Sequence, residues 1–311
     1  MQLLSRNPNF DFMKYRRVAM TASGIASAVS ILWVIFHGLN YGIDFTGGVL
    51  VEVSYPKEAN LVEIRSELEA AGITQAQVQT VGALTDVLIR LPPIGGDGTD
   101  AATTRDRLLE ILRTRDPDVQ PRGAEVVSSQ VGAELAQQGG LAMLFALIMI
   151  FIYVMLRFRW KLALGAVVAT VHDVTVTVGM FAIFGWQFDL IVLGSVLAVL
   201  GYSLMDTIVV YDRIRDNFRL MRRGSPAAIV NASVNQTLSR TIVTSVTTLL
   251  VVTALFFLGG ETLWGFSLAL IIGIVVGTYS SIYIASAMAL ALNVTPADLV
   301  AVKAEKVDEL P

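Results

Sequence analysis

Along this chain, stretches in which polar and apolar residues alternate give way six times to nearly unbroken apolar runs. The first, VAMTASGIASAVSILWVIF, covers about Val18 to Phe36, and the second, LAMLFALIMIFIYVML, starts near Gly139 and ends before Arg157. The third, LALGAVVATVHDVTVTVGMFAIF, follows Lys161. The fourth covers about Leu190 to Val210, the fifth about Ile242 to Leu258 and the sixth about Leu263 to Leu292. At a rise of about 1.5 Å per residue, roughly 20 helical residues cross a hydrocarbon core about 30 Å thick. The pattern therefore predicts six transmembrane helices. The first run is preceded by 17 residues and followed by no clear cleavage site, so it reads as an uncleaved anchor.

Between the first two runs the period changes. GVLVEVSYP alternates as a strand, and NLVEIRSELEAAG has an Asn60 N-cap, apolar residues at helical spacing and a glycine stop. QVQTVG and DVLIRLPP read as two short strands, TTRDRLLEILRTRD as a second helix and GAEVVSS as a last strand. The order β-α-β-β-α-β is the ferredoxin-like pattern. GGDGTD (95–100) reads as a loop, without the lysine of a phosphate-binding loop. The expected fold is thus an α-helical polytopic membrane protein of six transmembrane helices with a small α+β extracytoplasmic domain between spans 1 and 2. The segments are 1–37 (N-terminus and first span), 38–137 (external domain), 138–292 (spans 2–6) and 293–311 (tail). No catalytic grouping is visible in the external domain, which points to contact as its work.

Composition agrees with a membrane protein: 54% of residues are hydrophobic, 16% are charged and the mean hydropathy is +0.63. Cysteine is absent, which excludes disulfides, thiolate metal sites and cysteine nucleophiles, and only His37 and His172 could serve a histidine metal centre. Residues 40–135 hold 15 acidic and 8 basic side chains, whereas the other 15 of the 23 lysines and arginines precede span 1, follow spans 2 and 4, or lie in the tail. The loops GWQFD and GGETL carry no basic residue. Positive charge marks the cytoplasmic side, so both termini are expected there and the insert outside.

Polar residues within the runs carry the chemistry. Asp206 lies six to nine positions before the charged exit at Asp212, Arg213 and Arg215. A charged carboxylate at such depth costs about 2.5–3.5 kcal/mol on an insertion scale. It is either a hydrogen-bonded or arginine-paired helix clamp, or a proton carrier whose environment alternates. Tyr202 and Ser203 are its neighbours at i−4 and i−3. Arg240, at the start of the fifth span, is the natural counter-charge if it does not snorkel to the headgroups. Thr244 and Thr247 or Thr248 share the Arg240 face. In span 3, Asp173 reads as a helix clamp beside His172, with Thr170 and Thr177 on the same face, and both are weaker candidates for proton transfer. Gly273 and Gly277 have the spacing for close helix packing. YGIDFTGG (41–48) is either a turn into the first strand or a hinge or contact loop at the membrane surface, with Gly42, Gly47 and Gly48 as its flexible points and Asp44 as a fixed polar group. DRIRDNFRLMRR reads as a basic segment suited to anionic lipid or a partner.

GIDFTGG after span 1, HD in span 3, GYSLMDTIVVYDRIRDNF in span 4 and SRTIVTSVTTLL…GG…GFSLALIIGIVVGTYSSIYIAS across spans 5 and 6 resemble the SecD/SecF family of bacterial protein-export membrane proteins, relatives of the resistance-nodulation-division transporters. The resemblance covers nearly the whole chain. It implies an inner-membrane translocase accessory subunit with no enzymatic reaction of its own, paired with SecD and working beside the SecYEG channel, YajC and YidC on a translocating preprotein. The proton-motive force would promote export after ATP-driven insertion, with protons, or alternatively sodium, as the coupling ion and no cofactor or nucleic acid. The family's proton-linked aspartate and arginine fall on Asp206 and Arg240. Met205 stands where the family commonly has asparagine, which removes an amide beside Asp206, and Asp216 stands where many members have glutamate. A small-molecule exporter of the same superfamily would have two fused six-span halves and larger external domains. An intramembrane aspartyl protease would need Asp173 and Asp206 close enough to share a proton, and SLMD departs from the Gly-x-Gly-Asp stretch of those enzymes.

Overall fold

The computed structural model describes residues 9–73, 76–81, 83–91, 101–127, 129–158, 160–221 and 224–295. GGDGTD, most of the tail, and the basic residues Arg6, Arg159, Arg222, Arg223, Lys303 and Lys306 lie outside them. Helix α1 (Arg16–His37) leads through strand β1 (Asn40–Tyr41) and the one-turn helix α2 (Ile43–Thr46) into the insert. The insert contains β2 (Gly48–Ser54), α3 (Leu61–Ala70), β3 (Gln77–Val81), β4 (Ala83–Leu91), α4 (Ala101–Arg113) and β5 (Gln120–Val127). The bundle continues with α5 (Ser129–Arg157), α6 (Trp160–Phe184), β6 (Gln187–Phe188), α7 (Leu190–Leu220), α8 (Pro226–Leu258), α9 (Gly260–Ser280) and α10 (Ser286–Ala291). Among the described residues, six helices are long and apolar enough to cross a membrane, α9 and α10 together forming the sixth.

The insert has the expected topology. Its four strands run in the order β3-β4-β2-β5 with every neighbour antiparallel, and α3 and α4 cover one face. Val51, Val53, Val78, Val87, Ile89 and Leu91 alternate inward to meet Ile64, Leu68, Leu108 and Leu112 in a closed apolar core. Asn60 caps α3, its side chain accepting from the Val62 and Glu63 amides.

Apolar runs located the spans but understated several helices. The segment before Gly139, QVGAELAQQ, extends α5 outward from Ser129. DRIRDNF continues α7 past the apolar run to Leu220 as helix: Asp212 accepts from Arg157 and from Arg215 at 2.8 Å, and Arg213 donates to Gln236. Ser225 caps α8 with Pro226 at its first position, placing Arg240 well inside a continuous helix and not at its start. A charge ends a membrane segment without ending a helix. Between α9 and α10, residues Ser281–Ala285 form one wider π turn.

The start of α1, the end of α5, the outgoing turns of α7 and the residues after α10 share one end of the bundle, where Phe10 and Met13 bond to Asn235 and Asn231 of α8, Arg157 pairs with Asp212 and Lys161 donates to the Asn293 carbonyl. At the opposite end, β1 pairs in parallel with β6, tying the exit of α1 to the α6–α7 link.

Candidate functional site

The bundle interior is built where small residues let helices approach. Gly273 of α9 faces Val199 of α7, and Gly277 faces Ser203 and the Asp173 carboxylate, so a Cβ at either position would press on its neighbour. Gly179 of α6 lies against Ser30 of α1 in the same way. Backbones held this close bring polar side chains from three helices to one point, where lipid is excluded.

Asp173 is that point. It is fully buried (0% exposed), with Oδ1 at 2.9 Å from His172 Nδ1. Its Oδ2 accepts from Ser203 of α7 at 2.5 Å and from Ser280 of α9 at 2.6 Å. Three helices are therefore joined through one carboxylate. Thr170 and Thr177 do lie buried on this face, but their hydroxyls return to the carbonyls of Ala166 and Asp173 and leave the carboxylate to the serines. Sequence spacing along one helix cannot reveal donors supplied by two others.

Asp206 is different. It is 6% exposed, yet its Oδ2 has no hydrogen-bond partner. The neighbours expected to satisfy it are engaged elsewhere: Ser203 with Asp173, and Tyr202 with Ser245 of α8 at 3.3 Å. Helices α7 and α8 run antiparallel, with Tyr202 opposite Ser245 and Asn217 opposite Ser233. One turn on from Tyr202 is Asp206, and one turn back from Ser245 is Thr241, so the two stand level. The buried hydroxyls of Thr207 and Thr241 also lack partners. The unsatisfied oxygens of Asp206 and Thr241, level on the α7–α8 seam, form a place ready for a proton or an exchangeable donor.

Arg240, adjacent to Thr241, is the cation within electrostatic reach of Asp206, and no ion pair joins them in this structure. Its side chain is exposed, as is Thr247, while Thr241, Ser245 and Val252 face inward. The expected Arg240–Thr244–Thr247 face therefore turns away from the interior of this chain. Met205, 55% exposed, also points outward, so the family's amide at that position would not reach into this chain's core. Arg240 and Met205 thus lie on an outer surface of α7 and α8 that also exposes Ile242, Val246 and Leu250.

The YGIDFTGG segment is docked, not free. The Gly42 amide donates to Phe188 at 2.9 Å, and Asp44 Oδ2 accepts from the Leu190 amide at 3.1 Å, at the start of α7. Gly47 and Gly48 take φ of +76° and +155°, in a region that favours glycine, and a Cβ on Gly48 would strike the Leu91 carbonyl. Gly132 of α5 lies directly on the Phe45 carbonyl. No group of three or more histidine, aspartate or glutamate side chains suited to a metal occurs among the described residues.

Residues 107–295 match the family model described as "Protein export membrane protein SecD/SecF, C-terminal", and residues 32–55 match the "SecD/SecF GG Motif". The chain is 46% identical to the protein translocase subunit SecF of Vibrio alginolyticus, covering 100% of this chain and 99% of that one. It is 41% identical to SecF of Escherichia coli O157:H7, covering 96% and 92%. Among solved structures it resembles SecDF from Thermus thermophilus, described as a translocon-associated membrane protein, at 37% identity with a TM-score of 0.75. That match covers 91% of this chain but 38% of the other, so the chain spans about two fifths of that SecDF chain. A super-membrane-facing form of SecDF matches with a TM-score of 0.76 and 38% identity, covering 94% and 39%.

Proposed function

Since the chain belongs to the SecD/SecF family, we propose that it converts the proton-motive force into outward movement of a preprotein, with Asp206 as the group that takes up and releases the proton. It is a SecF-type protein translocase subunit, a transport component of the bacterial inner membrane. The observation that carries the proposal is the buried Asp206 carboxyl with an unpartnered oxygen, within electrostatic reach of Arg240 yet not ion-paired to it. Such a carboxylate has two stable outcomes: it binds a proton, or a cation moves in beside it.

In this reading the partner is SecD, whose six-span half lies against the exposed Arg240–Met205 surface, with SecYEG, YajC and YidC as neighbours. The distribution of basic residues along the sequence, before span 1, after spans 2 and 4 and in the tail, supports a cytoplasmic placement of both termini. A proton arriving from outside neutralises Asp206; its loss toward the cytoplasm draws Arg240 in and shifts α7 against α8. One charge crossing 100 mV supplies about 2.3 kcal/mol, enough to bias a mobile domain. Sodium in place of the proton is the alternative coupling ion. Asp173 serves here as the clamp around which α6, α7 and α9 keep their packing, and no enzymatic reaction or cofactor is required.

The test is preprotein export in inner-membrane vesicles, measured after ATP-driven insertion with and without a proton gradient. Vesicles containing this chain with SecD are expected to respond to the gradient. An equal response in vesicles lacking the chain would overturn the reading.

A further inference from the structure

The insert rests on the outer end of α7, and charges from three elements converge there. Asp189 caps α7 by accepting from the Val192 amide at 2.8 Å, while Asp44 of α2 supplies a second acceptor to the Leu190 amide. Arg90, on β4 of the insert, places Nη1 3.8 Å from the other oxygen of Asp44, and its buried Nε has no acceptor. The surrounding contacts are sparse and polar: Gln77 meets Gln187, and Thr262 donates to Gln79 at 2.7 Å. A cavity of about 540 Å³ remains between the domain and the bundle, lined by Arg90, Asp189, Gln77, Gln187 and Trp264 among others. Sparse polar contact over a cavity leaves room for the domain to rock, which makes the charged residues decisive for its position.

We propose that Arg90, acting through Asp44 and Asp189, is the positioning residue that holds the insert in register with α7, so that a shift of the helix carrying Asp206 is passed to the domain. The inference rests on the reading of Asp206 given above for what moves α7, but the register itself is independent of it. Two carboxylates share one helix N-terminus here, and Arg90 is the cation that faces both. Burial, and next the charge of Asp44, push the Asp189 carboxyl above the usual carboxylate range, while the Val192 amide and Arg90 oppose the rise. Removing Arg90 therefore moves the Asp189 titration further upward and leaves Asp44 without its link to the insert.

The experiment uses the full chain reconstituted with SecD in vesicles. The chain has no cysteine, so cysteines introduced at the exposed positions Asp118 in the insert and Phe184 at the end of α6 carry the spin labels within it. The native pair is expected to give one narrow distance that shifts as the outside is acidified. Arg90→Gln is expected to broaden that distribution at least twofold and to move the shift to higher pH, because one cation that opposes the rise at Asp189 is lost. Arg90→Lys is expected to restore both. A narrow distribution with an unmoved transition in Arg90→Gln overturns the proposal, as does failure of both variants to assemble, which would make Arg90 a folding residue. Asp206→Asn, labelled in parallel, separates the two ideas. If Arg90→Gln broadens the distance while Asp206→Asn keeps its gradient-stimulated preprotein export, the junction stands and the proton reading falls.

Discussion

Asp206→Asn is expected to abolish the stimulation of preprotein export by a proton gradient while leaving ATP-driven insertion and assembly with SecD in place. The asparagine preserves volume but cannot titrate. It also perturbs the fold little, because the oxygen it replaces by an amide already lacks a partner. One unsatisfied buried group exchanged for another costs on the order of 1 kcal/mol. If all of the roughly 2.3 kcal/mol per charge at 100 mV reached the translocation step, the lost acceleration would be at most about 50-fold. The measurement is the export rate with and without a gradient, beside a count of intact complexes. Retained stimulation would make Asp206 a structural carboxylate and place the proton route elsewhere.

The second large effect concerns Asp173. Asp173→Ala removes the acceptor shared by Ser203 and Ser280 and the partner of His172, leaving the buried Ser203 hydroxyl unsatisfied while Ser280 keeps only the Gly277 carbonyl. Hydrogen bonds between membrane helices average about 0.6 kcal/mol and reach about 1.7. Three lost together, with a small cavity beside Gly277, amount to roughly 2–4 kcal/mol. The yield of folded complex and its melting temperature are expected to fall. Asp173→Asn keeps an oxygen for the two serines and an amide for His172, and is expected to remain folded and to respond to the gradient. An Asp173→Asn complex that assembles but ignores the gradient would show that Asp173, and not only Asp206, titrates in the cycle.

These two aspartates show how far the sequence carries and where it stops. Their depth was legible from the apolar runs around them, as were all six spans and the alternating strands of the insert. The partners were not. Ser203 lies one turn from Asp206 in sequence but bonds to Asp173, because the close approach at Gly277 decides which helix it meets. Arg240 was legible as a counter-charge, but its outward face was not, since the inward face of α8 is set by Thr241 and Ser245 meeting α7 and α9. The extensions of α5, α7 and α8 were missed because charge was read as the end of a helix, although Ser225 and Pro226 gave a legible start signal. Neither Arg90 nor Asp189 stood out, as each is ordinary in its own element. Their meeting depends on the β1–β6 bridge, two residues long on each side, which no periodicity could predict.

The account turns on whether Asp206 binds a proton in the working complex. Infrared difference spectroscopy between acid and neutral pH reads this directly, through the carbonyl stretch that a carboxylic acid has and a carboxylate lacks. With the chain and SecD together in lipid, acidification is expected to produce carboxylic-acid absorption from several groups, of which one band component is lost in Asp206→Asn and retained in Asp173→Asn. A spectrum of Asp206→Asn that keeps every component, or a component that disappears only in Asp173→Asn, would contradict the claim that Asp206 is the proton carrier.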